Sequence, residues 1–175
     1  MRALAAFLVL VGGALIAPAV PAAAQIDVKK VEGRAEVYFP RTQSWRRISD
    51  PPYRLEEGDR VRTQANSAVD ISFPDGSTIR LGASTEFAVE SGRRQDIQLE
   101  LSLGSLKAWV AKLSSKRVFS VKTPSAVAAV RGTQFQMEVG GARDTRIDVN
   151  EGVLNVKTFM GEELEIGDGR PLRSL

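Results

Sequence analysis

Thr123-Pro124-Ser125-Ala126-Val127-Ala128-Ala129-Val130-Arg131-Gly132-Thr133-Gln134-Phe135 starts, bends and restarts extended structure within thirteen residues. Pro124 lacks a backbone donor and holds Thr123 extended, so it ends a strand that runs from Val118. The apolar stretch Ala126 to Val130 reads as buried. Gly132 allows a turn where a side chain would clash, and Phe135, Met137 and Val139 then alternate with polar residues as in a strand with one buried face. Arg131 follows the apolar run and precedes the turning glycine. Its stem is expected to be partly buried, with the guanidinium bonded to carbonyls or a carboxylate.

The same alternation recurs outward from this stretch. Val69, Ile71 and Phe73 share a face, as do Ile97, Leu99, Leu101 and Leu103, and Ile147 and Val149. Glycine, proline, asparagine or aspartate separates the runs, and no segment keeps a helical period, so the fold class is all-β. Gly140-Gly141 with Arg143 and Asp144 makes a turn before the strand around Ile147. The turn at Pro74-Asp75-Gly76 fixes a register. A three-residue loop, with Gly76 left-handed, sets Phe73 against Ser77, Ile71 against Ile79 and Val69 against Leu81, whereas a two-residue loop would waste the apolar face. Asp75 is accordingly a turn residue, bonding its own backbone. Gly33, Gly104 and Gly152 each open a short strand at unequal spacings, which suits a sheet that turns corners rather than a fixed-period repeat.

Residues 1–24 read as an export signal. Arg2 supplies the positive end, Leu4 to Ile16 the apolar stretch, and Ala22-Ala23-Ala24 the small-residue cleavage site, so processing between Ala24 and Gln25 is expected. An uncleaved anchor from Ala3 to Ala24 is the alternative. Residues 25–175 then form one domain, periplasmic or secreted, with no stable membrane span after cleavage. Losing Arg2 takes the formal net charge from +3 to +2, too mild a balance to favour nucleic acid.

The chain has no histidine and no cysteine. It therefore lacks the parts of a Ser-His-Asp triad, a Cys-His pair, a disulfide framework or the usual zinc sites. Adjacent acids such as Glu56-Glu57 face opposite sides of a strand and cannot form one acid-base site. No catalytic residue, metal or cofactor is expected, and the protein reads as a non-enzyme. Trp45 with Arg46 is the one speculative ligand contact, an indole face beside a charge for a cell-wall polysaccharide or peptidoglycan.

Thr123-Pro124 followed by Val130-Arg131-Gly132-Thr133-x-Phe135 closely resembles the signature of FecR-type periplasmic domains. Gly58-Asp59-Arg60-Val61-Arg62-Thr63, Phe73-Pro74-Asp75-Gly76-Ser77-Thr78-Ile79 and Asn150-Glu151-Gly152-Val153 extend the resemblance in the family's order over about residues 31–158. The resemblance implies a β-solenoid-like stack of short strands; the residues alone equally allow a β-sandwich. It makes Gly58, Asp59, Thr63, Asp75, Gly76, Ser77, Pro124, Arg131, Gly132, Thr133 and Gly152 structural motif residues. FecR-like regulators pass the state of an outer-membrane transporter to a sigma factor. This chain departs from that plan at both ends, so the resemblance implies a periplasmic binding or scaffolding module whose partner is another envelope protein, docking through sheet edges such as Ser105 to Ala111.

Overall fold

The computed structural model describes residues 25–40, 42–112, 117–169 and 171–172. The export signal expected at residues 1–24 lies outside the described residues. The described residues form β1 (Ile26–Glu32), β2 (Ala35–Phe39), β3 (Ser44–Arg47), β4 (Tyr53–Leu55), β5 (Arg60–Thr63), β6 (Ala68–Ser72), β7 (Thr78–Leu81), β8 (Glu86–Arg93), β9 (Asp96–Trp109), β10 (Val118–Lys122), β11 (Ala126–Val130), β12 (Gln134–Val139), β13 (Thr145–Glu151), β14 (Val153–Thr158) and β15 (Glu163–Gly167), with no helix among them.

These strands make one 15-stranded sheet that changes layer within β9. Residues 96–103 of β9 belong to a ladder ordered β3-β2-β5-β8-β9-β10-β11-β14-β15. Residues 104–109 belong to a second, ordered β4-β1-β6-β7-β9-β12-β13. Only β9–β10 is parallel. Each ladder has one apolar face, and the two faces close on a shared core in which Phe73 meets Phe119 edge-on with centroids 5.8 Å apart. The all-β expectation holds; the ladders are those of a bent, nearly antiparallel sheet and do not establish the solenoid.

Three glycines mark the passages between layers. Gly33 joins β1 to β2, Gly104 lies inside β9 and Gly152 joins β13 to β14, with φ of 78°, 90° and 93°. Each faces a buried hydroxyl residue: Ser67, Thr85 and Thr133 respectively. The hydroxyls sit in equivalent turns, Ala65-Asn66-Ser67, Ala83-Ser84-Thr85 and Arg131-Gly132-Thr133, whose middle residues have φ of 54°, 50° and 61°. Each hydroxyl donates to the carbonyl two residues before it, at 3.2 Å in all three. Ser67 and Thr85 also accept from the amides of Arg34 and Ser105, and Thr133 donates to the Val153 carbonyl, so each turn is tied to the residue after its glycine. A backbone that must leave one layer for another exposes polar groups to the core, and the buried hydroxyl satisfies them.

The turn at Pro74-Asp75-Gly76 takes the three-residue form. Val69 pairs with Leu81 and Ile71 with Ile79, the Phe73 amide donates to Ser77 at 2.9 Å, and Gly76 has φ 92°. Two other expectations are corrected. The stretch Ala126 to Val130 is not buried throughout, since β11 alternates and leaves Ala129 exposed. Ser105 to Trp109 is not an edge either: β7 and β12 pair with it on its two sides.

Candidate functional site

The motif residues do not converge on one point; they hold turns. Gly58 donates its amide to Val89 at 2.7 Å, and the Asp59 carboxylate accepts from the Glu56 amide at 2.9 Å. Burial, reinforced by the nearby Glu56 charge, raises the Asp59 pKa above its ordinary value, and the amide bond only partly offsets this. Thr63 donates to the Gly82 carbonyl and accepts from the Thr85 amide. Asp75 accepts from both the amide and the hydroxyl of Ser77 at 2.9 and 2.7 Å. Ser77 in turn accepts from the Ala111 amide, while the Thr133 carbonyl accepts from Val110, so two motif turns grip the chain just past β9. Pro124 sits in the β10–β11 turn, beside a buried hydroxyl chain from Ser125 through Thr145 to Thr123.

Arg131 departs from this pattern. Its side chain is exposed and makes no hydrogen bond or ion pair with any described residue. The buried, bonded head expected from the sequence is therefore corrected. The reason is visible in the other two layer passages, where the equivalent positions are Ala65 and Ala83. The turn needs the carbonyl at this position and nothing of the side chain.

Arg131 stands at one end of a shallow trough on the outer face of β10, β11, β14 and β15. Here a cleft of about 310 Å³ is lined by Arg117, Val118, Ala129, Arg131 and Asn155. Ala129 and Asn155 also line an adjoining cleft of about 740 Å³, which reaches Lys157, Glu163 and Leu164. The floor is low because Ser120, Ala129 and Asn155, all small or short, stand opposite one another on successive strands. Val118 and Val153 flank the arginine end, 48% and 42% exposed, well above what a strand valine usually leaves in water. The arginine end, where Arg117 and Arg131 stand beside two exposed valines, suits an acidic group, whereas the far end carries Lys157, Glu163 and Glu165; the trough as a whole suits an extended segment rather than a compact substrate.

Trp45 and Arg46 do not act together. They are neighbours on β3 and point to opposite faces. Trp45 packs on Tyr38 with centroids 5.3 Å apart, and the Arg62 guanidinium lies 4.2 Å over its ring, while Arg46 lies 4.7 Å over Phe39. One indole face is thus already covered. Arg62 also donates to Glu36 at 2.6 Å, and Arg34 does so at 3.0 Å. The Arg62 bond is the main reason that the Glu36 carboxyl, though buried, is held below its ordinary pKa; burial opposes the shift and Arg34 supports it.

Among the described residues no three His, Cys, Asp or Glu side chains gather as a metal site would need, and every buried polar side-chain atom has a partner. The functional residues that sequence reasoning missed are Ser67 and Thr85, the counterparts of Thr133. The signal was a left-handed-tolerant residue, then Ser or Thr, then an apolar residue two positions later: Asn66-Ser67-Ala68-Val69 and Ser84-Thr85-Glu86-Phe87.

Two crystal structures of a proposed anti-sigma factor from Parabacteroides distasonis share the fold, each with a TM-score of 0.57 at 16% identity over 64% of this chain. The match covers 52% of those chains, so this protein spans about half their length. No curated protein matches. A family model described as FecR protein matches residues 59–155, which contain both motif turns around β9 and the Arg131 passage. That is more than half of the sequence, and the chain belongs to the FecR family.

Proposed function

We propose that this protein is a non-enzymatic binding module of the bacterial envelope, linked to signalling, that holds an extended segment of a partner protein in the trough, with an acidic group of that segment at the Arg131 end. The observation that carries the reading is an exposed arginine, without a partner among the described residues, at a position where two equivalent turns use alanine. A charge that the fold does not need, set between two exposed valines, is better explained by a partner than by stability. The family and the likeness to a proposed anti-sigma factor support a signalling context. The export-signal pattern of residues 1–24 is the sequence ground for an envelope location, with Gln25 as the first residue after cleavage; N-terminal sequencing of protein from the envelope fraction checks it, and recovery of the full-length chain in the inner membrane would revive the anchor.

The test is a pull-down from envelope extract with wild type and Arg131→Ala. Wild type should recover one envelope protein at stoichiometric level. The variant should fold normally and lose it. Retention of the same partner by Arg131→Ala would overturn the trough as the site, and retention of the protein on purified peptidoglycan, lost on Trp45→Ala, would favour a wall-polymer role instead.

A further inference from the structure

The nine-strand layer ends in two edges that carry opposite charge. At one end is β15, paired only with β14 and flanked by Glu162, Glu163, Glu165 and Asp168, all exposed. At the other is β3, paired only with β2 and carrying the exposed Arg46 and Arg47. Among the described residues no strand covers the outer side of either. An open edge presents a row of unpaired amides and carbonyls, and like-charged residues there keep identical edges apart. Opposite charges on the two ends of one layer have a further effect. They repel β15 from β15 and β3 from β3, while attracting β15 of one copy to β3 of the next.

Strand direction agrees. Of the eight ladders across this layer only β9–β10 is parallel, and the seven reversals leave β15 running opposite to β3. A second copy in the same orientation, set beside the first, therefore offers the two edges in the antiparallel sense, the more stable one per residue. The alternation of faces agrees as well. Full overlap of the two short strands places Arg47 opposite Glu163 and Trp45 opposite Glu165 on the outer face, and Arg46 opposite Leu164 on the inner.

We infer that this protein associates with second copies of itself, head to tail, through β15 of one copy and β3 of the next. The two surfaces differ, so the contact does not close on itself as a two-fold dimer would, and it extends into an open row. The charge term makes it sensitive to salt. The inference does not rest on the arginine end of the trough, because Arg131 lies on neither edge; the far end, at Glu163 and Leu164, belongs to the β15 edge itself.

Sedimentation velocity of the mature protein over rising concentration, in low and high salt, tests it. Average mass should climb with concentration past the dimer in low salt and fall back toward monomer in high salt. Glu163→Arg with Glu165→Arg, and separately Arg46→Glu with Arg47→Glu, should each leave a folded monomer by circular dichroism. Mixed in equal amounts the two variants should associate again, since each altered edge then meets its complement. Arg131→Ala should associate like wild type. A wild type that stays monomeric at millimolar concentration in low salt, a mass that stops at the dimer, or a mixture that does not recover would each overturn the proposal.

Discussion

The layer passage at Gly104 can be tested by comparing one substitution at three glycines. Gly76, Gly152 and Gly104 have nearly the same backbone, with φ of 92°, 93° and 90°. Alanine at any of them meets the same left-handed penalty of about 1 to 2 kcal/mol. Their surroundings differ. A Cβ on Gly76 meets nothing within 4 Å; on Gly152 it lies 3.1 Å from the Thr133 hydroxyl and 3.2 Å from the Gly132 carbonyl oxygen. On Gly104 it would overlap the Thr85 hydroxyl and lie 2.5 Å from the Thr85 Cα and 2.7 Å from the Ser84 carbonyl oxygen. Those last two atoms are backbone, so the start of β8 must move. Overpacking of that kind adds about 1 to 3 kcal/mol. Disturbing the Ser105 amide bond to Thr85, 3.0 Å long, adds about 1 more. Gly104→Ala should therefore cost about 3 to 6 kcal/mol, against about 1 to 2 for Gly76→Ala, with Gly152→Ala between. Urea unfolding of the three variants measures it, and a Gly104→Ala protein too unstable to isolate agrees with the expected order. Equal midpoints for Gly104→Ala and Gly76→Ala would refute the reasoning, since they would mean that β9 does not pass tightly against Thr85.

Glu36→Gln should cost about 2 kcal/mol at neutral pH, allowing for the partial exposure of Arg62 and Arg34, because the amide removes the charge and leaves one acceptor oxygen for two guanidinium donors. The Glu36 pKa is depressed in the fold, so its contribution is present above the ordinary carboxylate value of 4.5 and is lost as pH falls through the folded value; the wild-type advantage in unfolding experiments should shrink on acidification. Asp59 has the opposite sign: its raised pKa makes the folded state less favoured as pH rises through that value, so Asp59→Asn, which keeps an acceptor for the Glu56 amide, should gain on wild type between acid and neutral pH. Arg131→Ala should leave urea stability within about 0.5 kcal/mol of wild type, as expected of a surface change, and a larger loss would return Arg131 to a structural role.

The local structure of this protein was legible in its residues wherever neighbours along the chain decide it. Strand alternation at Val69, Ile71 and Phe73, the stop at Pro124 and the three-residue turn at Gly76 follow from sterics and from a side-chain period of two, which need no knowledge of the rest of the molecule. The opposition of Trp45 and Arg46 was legible by the rule that adjacent strand residues face opposite ways, a rule that does not reach Glu56 and Glu57, which lie in the turn between β4 and β5. The echo of Gly33, Gly104 and Gly152 was visible too, whereas the turns at Asn66-Ser67 and Ser84-Thr85 that answer them went unread until the structure set each beside its glycine.

Which strands are neighbours was decided only in three dimensions. Residues 104–109 of β9 look like any strand, and only the placement of β7 and β12 on either side removes them from the edges and leaves β3 and β15 there instead. The fate of Arg131 was decided the same way. From sequence, an arginine after an apolar run reads as a strut; in the structure the carbonyl of its turn does that work, as the carbonyls of Ala65 and Ala83 do elsewhere. Backbone conformation depends on adjacent residues and is fixed by them, whereas exposure depends on which distant strand the fold brings alongside, and the physical forces that choose it act only once the two layers have closed.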